Sequence, residues 1–257
     1  MAPVSDGAFA AWLAGKVGEL LLGLQATMAF DDPDALRHAG DKQAHDLLVT
    51  ELSRWRPADA VLSEEALEDN PIRLTSERVW IVDPLDGTRE FGEPGRSDWA
   101  VHVALWSRQT ESLAAGAIAL PAVSRVLSTD VAPSYPPLHP SAAAGGPIRI
   151  VTSRTRPPSF LPALASSIGA ELVPMGSAGA KIAAVITGEA DAYIHAGGQY
   201  EWDSAAPVAV ALATGLHASR IDGSPLVYNR PDPSLPDLLV CRADLAARLL
   251  SAVSQHG

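Results

Sequence analysis

Trp80-Ile81-Val82-Asp83-Pro84-Leu85-Asp86-Gly87-Thr88 is the stretch from which the rest of the chain can be read. A short apolar run rich in strand-forming residues stops at Asp83. A Pro-Leu step brings Asp86 three residues on, and Gly87-Thr88 opens the next element. Two carboxylates so spaced at a strand exit can hold a hard cation, and the glycine lets backbone N–H groups approach a phosphate closely. The competing reading of the same letters is a solvated turn of the Pro-Asp-Gly type. A second segment, Glu201-Trp202-Asp203-Ser204, follows the Gly197-Gly198 loop and bears on that choice.

The chain has 257 residues, enough for one large or two modest domains with a substantial core, and 47% of them are hydrophobic. Net charge is −11, from 19 basic and 30 acidic residues. Such a surface repels a nucleic-acid polymer, whereas a small anionic substrate remains compatible if cations neutralise it. The single cysteine, Cys241, excludes an internal disulfide and a thiolate cluster, and it fits a reducing compartment. Lys16 and Glu19 interrupt the apolar stretch 9–24, whose Phe9, Leu13, Val17, Leu20, Leu21 and Leu24 fall at helical spacing. It reads as an amphipathic core helix, not a membrane span, and the cytoplasm is the expected location.

Asp41 stands as an N-cap to a second helix whose face is Ala44, Leu47, Leu48, Leu52 and Trp55. A strand at 60–62 delivers Ser63-Glu64-Glu65. Apolar runs at 99–106, 113–120 and 124–130 read as antiparallel strands. The Pro-, Ala- and Gly-rich segment 131–147 reads as a connection between domains 1–140 and 148–257. Beyond it, strands at 148–151, 171–174 and 190–195 alternate with helices at 159–168, 178–187 and 204–214, and a last helix follows Asp244. That pattern predicts a layered α/β second half after an α+β first half with an antiparallel sheet. Glu64, Asp83, Asp86 and Asp203 each end or begin an element, where layered folds present ligands. An oxygen-only set without paired His or Cys favours Mg²⁺ or Mn²⁺ over zinc.

Ser63-Glu64-Glu65, Asp83-Pro84-Leu85-Asp86-Gly87-Thr88 and Trp202-Asp203-Ser204-Ala205-Ala206, in that order, resemble the inositol monophosphatase superfamily of lithium-sensitive phosphatases. The likeness runs from Asp41 to the final helix. It implies a sandwich of alternating helical and sheet layers with a metal cluster between the halves. By position it makes Glu64, Asp83, the Leu85 carbonyl, Asp86 and Asp203 the ligands of two or three Mg²⁺ ions, with Li⁺ inhibitory. Asp41 and Thr88 match the pair that orients and deprotonates the attacking water. Ser63 departs from the glycine found in many members.

Physically, two metal ions about 4 Å apart can stabilise the attacking and leaving oxygens of an in-line displacement. The Gly87 and Thr88 N–H groups would hold the non-bridging oxygens. Arg89-Glu90-Phe91 and Gly176-Ser177-Ala178-Gly179-Ala180-Lys181 look closer to the CysQ-type 3′(2′),5′-bisphosphate nucleotidase branch than to the inositol phosphatases. That branch removes the 3′-phosphate of 3′-phosphoadenosine 5′-phosphate, beside sulfate assimilation. Arg89, Ser177 and Lys181 would then serve the substrate, Lys181 holding its second phosphate, while His195 and Gly197 touch sugar hydroxyls. The alternatives are a phosphatase of inositol 1-phosphate or fructose 1,6-bisphosphate, a silent metal- or nucleotide-binding regulator, and a structural Ca²⁺ protein. A homodimer is compatible with the sequence, which does not set the oligomeric state.

Overall fold

A computed structural model describes residues 1–66, 71–136 and 145–257. Helix α1, Asp6–Met28, starts where Ser5 accepts the Ala8 N–H at 3.3 Å. Its length and composition would suffice to cross a membrane, yet Phe9, Leu13, Val17 and Leu21 are fully buried in the protein core. Helix α2 runs Pro33–Trp55. Asp32 caps it by accepting the Ala35 N–H at 3.0 Å, and Pro33 supplies a fixed φ at the first helical position. Asp41 is therefore not the N-cap expected of it but a mid-helix residue. Gly40 beside it marks a close approach: a Cβ there would lie 2.8 Å from the Phe91 ring and 2.9 Å from Leu85.

The first sheet orders β1 (Ala60–Ser63), β2 (Arg78–Asp86), β3 (Ala100–Ser107), β4 (Ser112–Leu120) and β5 (Arg125–Ser128) side by side. The last four pair antiparallel as the sequence predicts, while β1 joins β2 in parallel. Side chains of β2 alternate between its two faces: Trp80 and Val82 pack toward α1 and α2, Val79 and Ile81 toward the middle of the molecule. The second sheet comprises β6 (Arg149–Ser153), β7 (Glu171–Met175), β8 (Ala192–Ala196), β9 (His217–Ser219) and β10 (Asp237–Cys241), in the order β7-β6-β8-β10-β9. Its first three strands are parallel and its last two antiparallel.

Helices α5 (Ala178–Ile186) and α6 (Glu201–Ala213) fill the space between the sheets, sharing a core with residues of both. Helices α4 (Leu161–Ile168) and α7 (Ala246–His256) cover the far face of the second sheet through Leu161, Leu164, Leu249 and Val253. The five layers thus read helix, sheet, helix, sheet, helix, the sandwich the motifs imply. Strands β9 and β10 went unforeseen, being short and flanked by polar turns. The connection read at 131–147 falls in the chain between β5 and β6, and its residues 137–144 lie outside the described residues.

Candidate active site

The site forms where β2 ends. Pro84 has no N–H to give to the ladder, and the register against β3 shifts between Asp83 and Asp86. The strand bends there, and Asp83 Oδ1 accepts the Leu85 N–H at 3.0 Å. Gly87 turns the chain at φ +89; a Cβ would sit 3.1 Å from the Asp98 carbonyl and 3.2 Å from Ser177, so both conformation and space require glycine. A single helical turn, α3 (Thr88–Phe91), follows. Thr88 Oγ1 lies 3.0 Å from the Leu85 carbonyl and 3.2 Å from Asp41 Oδ1. With one hydroxyl proton it serves one of these acceptors at a time.

Carboxylate oxygens of Asp83, Asp86 and Asp203 lie within 4.8 Å of one another, with Glu64 beside Asp83. Asp203 comes from the first turn of α6. The helix begins at Glu201, two residues before it and three before the expected Ser204, so Asp203 is not the N-cap; it accepts the Tyr200 N–H at 2.7 Å instead. Burial, and after it the charge of Asp203, pushes Glu64 up to about 7. Burial with Asp86 raises Asp203 to about 6, and burial with Glu64 raises Asp83 well above the usual carboxylate range. Asp41 also rises to about 6, through burial and the nearby Glu65.

Asp86 goes the other way. Burial opposes its charge, but His102, Lys181 and the Ser177 hydroxyl outweigh it and hold the carboxyl down at about 2. His102 is a residue that sequence reasoning missed, a lone histidine inside an apolar strand. It is fully buried, with Nδ1 3.1 Å from the Trp202 carbonyl and Nε2 3.3 Å from Asp86 Oδ2. Nε2 makes no aligned hydrogen bond at that distance, but the Asp86 charge outweighs the burial that opposes it, raises the ring's pKa and favours the cation. One buried imidazolium and one ammonium face four carboxylates. The excess negative charge and the hard oxygen donors fit a divalent cation.

Around this cluster lies a cavity of about 420 Å³. Of the expected residues, Glu64, Asp83, Leu85, Asp86, Gly87, Thr88, Arg89, Ser177, Lys181, His195 and Asp203 line it. Asp41 joins through Thr88, and the Gly197 carbonyl meets His195 Nε2 at 2.7 Å. Lys181 Nζ donates to the Ser177 and Gly176 carbonyls at 2.7 and 3.2 Å. The lining also includes Ser153, Arg154, Thr155, Arg156, Tyr193 and Gln199, none of them foreseen. Two arginines at a strand exit in an acidic chain were the available signal. Arg154 is held by Glu90 at 2.6 Å and Glu93 at 3.1 Å, which ties α3 to the second sheet.

A family model described as the inositol monophosphatase family matches residues 25–257. The chain belongs to that family. It is 51% identical to a Mycobacterium leprae protein named 3′-phosphoadenosine 5′-phosphate phosphatase, covering 99% of this chain and 95% of the relative. A Mycobacterium tuberculosis protein of the same name is 54% identical over 92% of this chain and 89% of its own length. Among solved structures, inositol monophosphatase II of Staphylococcus aureus superposes with a TM-score of 0.76 at 20% identity, covering 96% of each chain, a likeness of fold.

Proposed function

We propose that this member of the family is a metal-dependent phosphomonoesterase that removes the 3′-phosphate of 3′-phosphoadenosine 5′-phosphate, giving AMP and phosphate. One observation carries the reading: a single cavity is lined by the four-carboxylate cluster, by Thr88 with its partner Asp41, and by Arg89, Arg154 and Arg156. The arrangement suits a substrate with two phosphates, and the mycobacterial relatives named for such a substrate support the choice. The oxygen-only donors favour Mg²⁺, with Mn²⁺ as substitute and Li⁺ as inhibitor.

Glu64, Asp83, the Leu85 carbonyl, Asp86 and Asp203 would hold the Mg²⁺ ions, whose charge stabilises the attacking and leaving oxygens of phosphoryl transfer. Asp41, raised to about 6, is a base matched to neutral pH. The Thr88 hydroxyl, donating to Asp41 at 3.2 Å, orients a water and relays its proton to that carboxylate. Gly87 and Thr88 N–H groups hold the scissile phosphate. Arg89 and the remaining N–H of Lys181 meet the second phosphate, with Ser177 at the floor and His195 and Gly197 toward the sugar. In this reading residues 1–140 carry most ligands and 148–257 the substrate elements. The buried, unpaired thiol of Cys241 fits the cytoplasm.

Phosphate release from a substrate panel with Mg²⁺ tests it. The bisphosphate nucleotide should exceed inositol 1-phosphate and fructose 1,6-bisphosphate at least tenfold in kcat/KM, with activity abolished by EDTA. Preference for inositol 1-phosphate would overturn the substrate, and no metal-dependent release from any ester would overturn the chemistry.

A further inference from the structure

Arg73 is a buried cation that the chemistry above leaves without a task. It sits in the single 3₁₀ turn Pro71–Leu74, which lies in the chain between β1 and β2, the strands that deliver Glu64, Asp83 and Asp86. Its guanidinium reaches a loop of the second half. Nη1 donates to Asn229 Oδ1 at 2.9 Å, and Nη2 to the Arg230 and Pro231 carbonyls at 2.8 and 3.1 Å. Asn229 Nδ2 donates back to the Arg73 carbonyl at 3.3 Å. Asn229 turns this loop at a φ of +59, the left-handed region that asparagine tolerates. Two successive N–H groups then converge on one carboxylate: those of Asn229 and Arg230 donate to Glu201 Oε2 and Oε1 at 2.6 and 2.7 Å. Glu201 is fully buried and opens α6. Ser204, three residues on, meets the Tyr228 hydroxyl at 3.2 Å. Between them lie Trp202, whose carbonyl faces His102, and Asp203.

The first turn of α6 is thus held by the 228–230 loop, and that loop by Arg73. We infer that Arg73 is a positioning residue for the metal cluster: it braces the α6 turn so that Asp203 faces Asp83 and Asp86 before a cation arrives. The inference rests on the metal-dependent reading above. Charge explains the need. Carboxylates crowded without an ion repel one another, and Asp203 is the member of the cluster that comes from the second half of the chain. A strut from the β1–β2 connection to the α6 turn opposes that repulsion. A guanidinium suits the task, since it stays charged when buried and its planar fork serves three acceptors at once. Those acceptors are neutral oxygens, so Arg73 orders the loop and neutralises no metal ligand directly.

The experiment measures Mn²⁺ binding to the full chain without substrate, from the electron paramagnetic resonance of the free ion. Arg73→Met keeps the buried stem and removes the donors. Its Mn²⁺ dissociation constant should rise about tenfold, the low end of what losing an outer support of a metal site costs. Half-maximal phosphate release should need correspondingly more Mg²⁺, while kcat at saturating Mg²⁺ changes less, because bound ions gather the carboxylates themselves. Asn229→Gly keeps the left-handed turn and both N–H groups on Glu201 but loses the Arg73 acceptor. It should weaken Mn²⁺ in the same way and add little to Arg73→Met, since both cut one link. Leu249→Ala, in the core on the far face of the second sheet, controls for plain loss of stability. It should lower the melting temperature in EDTA and leave Mn²⁺ affinity in place. Arg73→Met that binds Mn²⁺ as wild type does, or Leu249→Ala that weakens it equally, overturns the strut. If Arg73→Met does not fold, Asn229→Gly decides by the same measure. Wild type that binds no Mn²⁺ overturns the metal-dependent reading, and this inference with it.

Discussion

At one end of the cavity Asp83 and Asp86 leave a single strand three residues apart and meet Asp203 within 4.8 Å. The rest of the lining draws Arg89, Arg156, Lys181 and Gln199 from four separate segments, Lys181 near enough to Asp86 to lower its pKa. The carboxylate end repels itself and is fixed mainly by the backbone, through the Leu85, Gly179 and Tyr200 N–H groups, with the Ser177 hydroxyl added at Asp86. The rest is fixed by side chains gripping one another, as Arg154 grips Glu90 and Gln199 grips Tyr193. Charge crowding at the carboxylate end works against folding and serves binding of a cation. Pairing in the rest serves both folding and selection.

The largest effect should come from splitting those two demands at the carboxylate end. Asp83→Asn removes one charge from the cluster, yet its amide oxygen can still accept the Leu85 N–H. Activity should fall about a thousandfold or more, roughly 4 kcal/mol of lost transition-state stabilisation, while the melting temperature in EDTA holds or rises. Asp86→Asn should lower both, because Asp86 Oδ2 also takes the Ser177 hydroxyl at 2.5 Å and the Gly179 N–H at 2.6 Å. Turnover of either variant near wild type at saturating Mg²⁺ would remove these residues from the chemistry.

The same contrast governs what the sequence could disclose. The contiguous Asp83–Thr88 segment carries its own geometry, since proline breaks the ladder and glycine makes the turn within six letters. The β2–β5 pairing and the helices that alternate with strands after residue 148 follow from local pattern. The start of α2 did not, because Asp32-Pro33 and Gly40-Asp41 both carry an acidic residue beside a helix-breaking one, and only packing against Phe91 and Leu85 explains the glycine. Arg154, Tyr193 and Gln199 were hidden because their partners lie in distant segments or, for Gln199, across the tip of one loop. His102 was hidden because Asp86 reaches it only across the β2–β3 pair and the Trp202 carbonyl only once α6 is docked.

A smaller effect should appear in the rest of the lining with Lys181→Met. Two of the ammonium's three N–H groups are committed to the carbonyls that open α5, and in the proposed function the third would meet the second phosphate. One charge-assisted contact is worth about 1.5–3 kcal/mol, so kcat/KM on the bisphosphate nucleotide should fall tenfold to a hundredfold more than on inositol 1-phosphate. Equal losses on both would assign Lys181 to neutralising Asp86 instead.

The gentlest test opposes the two parts by pH. In EDTA, Glu64 and Asp203 have folded values of about 7 and 6 against ordinary values of 4.5 and 3.8. The folded state keeps protons that the unfolded chain has released, so their contribution is whole below about pH 4 and is lost as pH rises toward 7. His195 runs in the opposite sense: its folded value of about 4 lies below the ordinary 6.5, so its contribution is whole above pH 6.5 and is lost as pH falls toward 4. Melting temperature against pH should therefore separate them. Adding Mg²⁺ should raise it by several degrees at pH 8 and hardly at pH 5, where protons compete for the same carboxylates. His195→Phe should flatten the decline between pH 6.5 and 4 and leave the Mg²⁺ increment at pH 8 in place. A Mg²⁺ increment that does not depend on pH would mean that the ion binds away from the raised carboxylates.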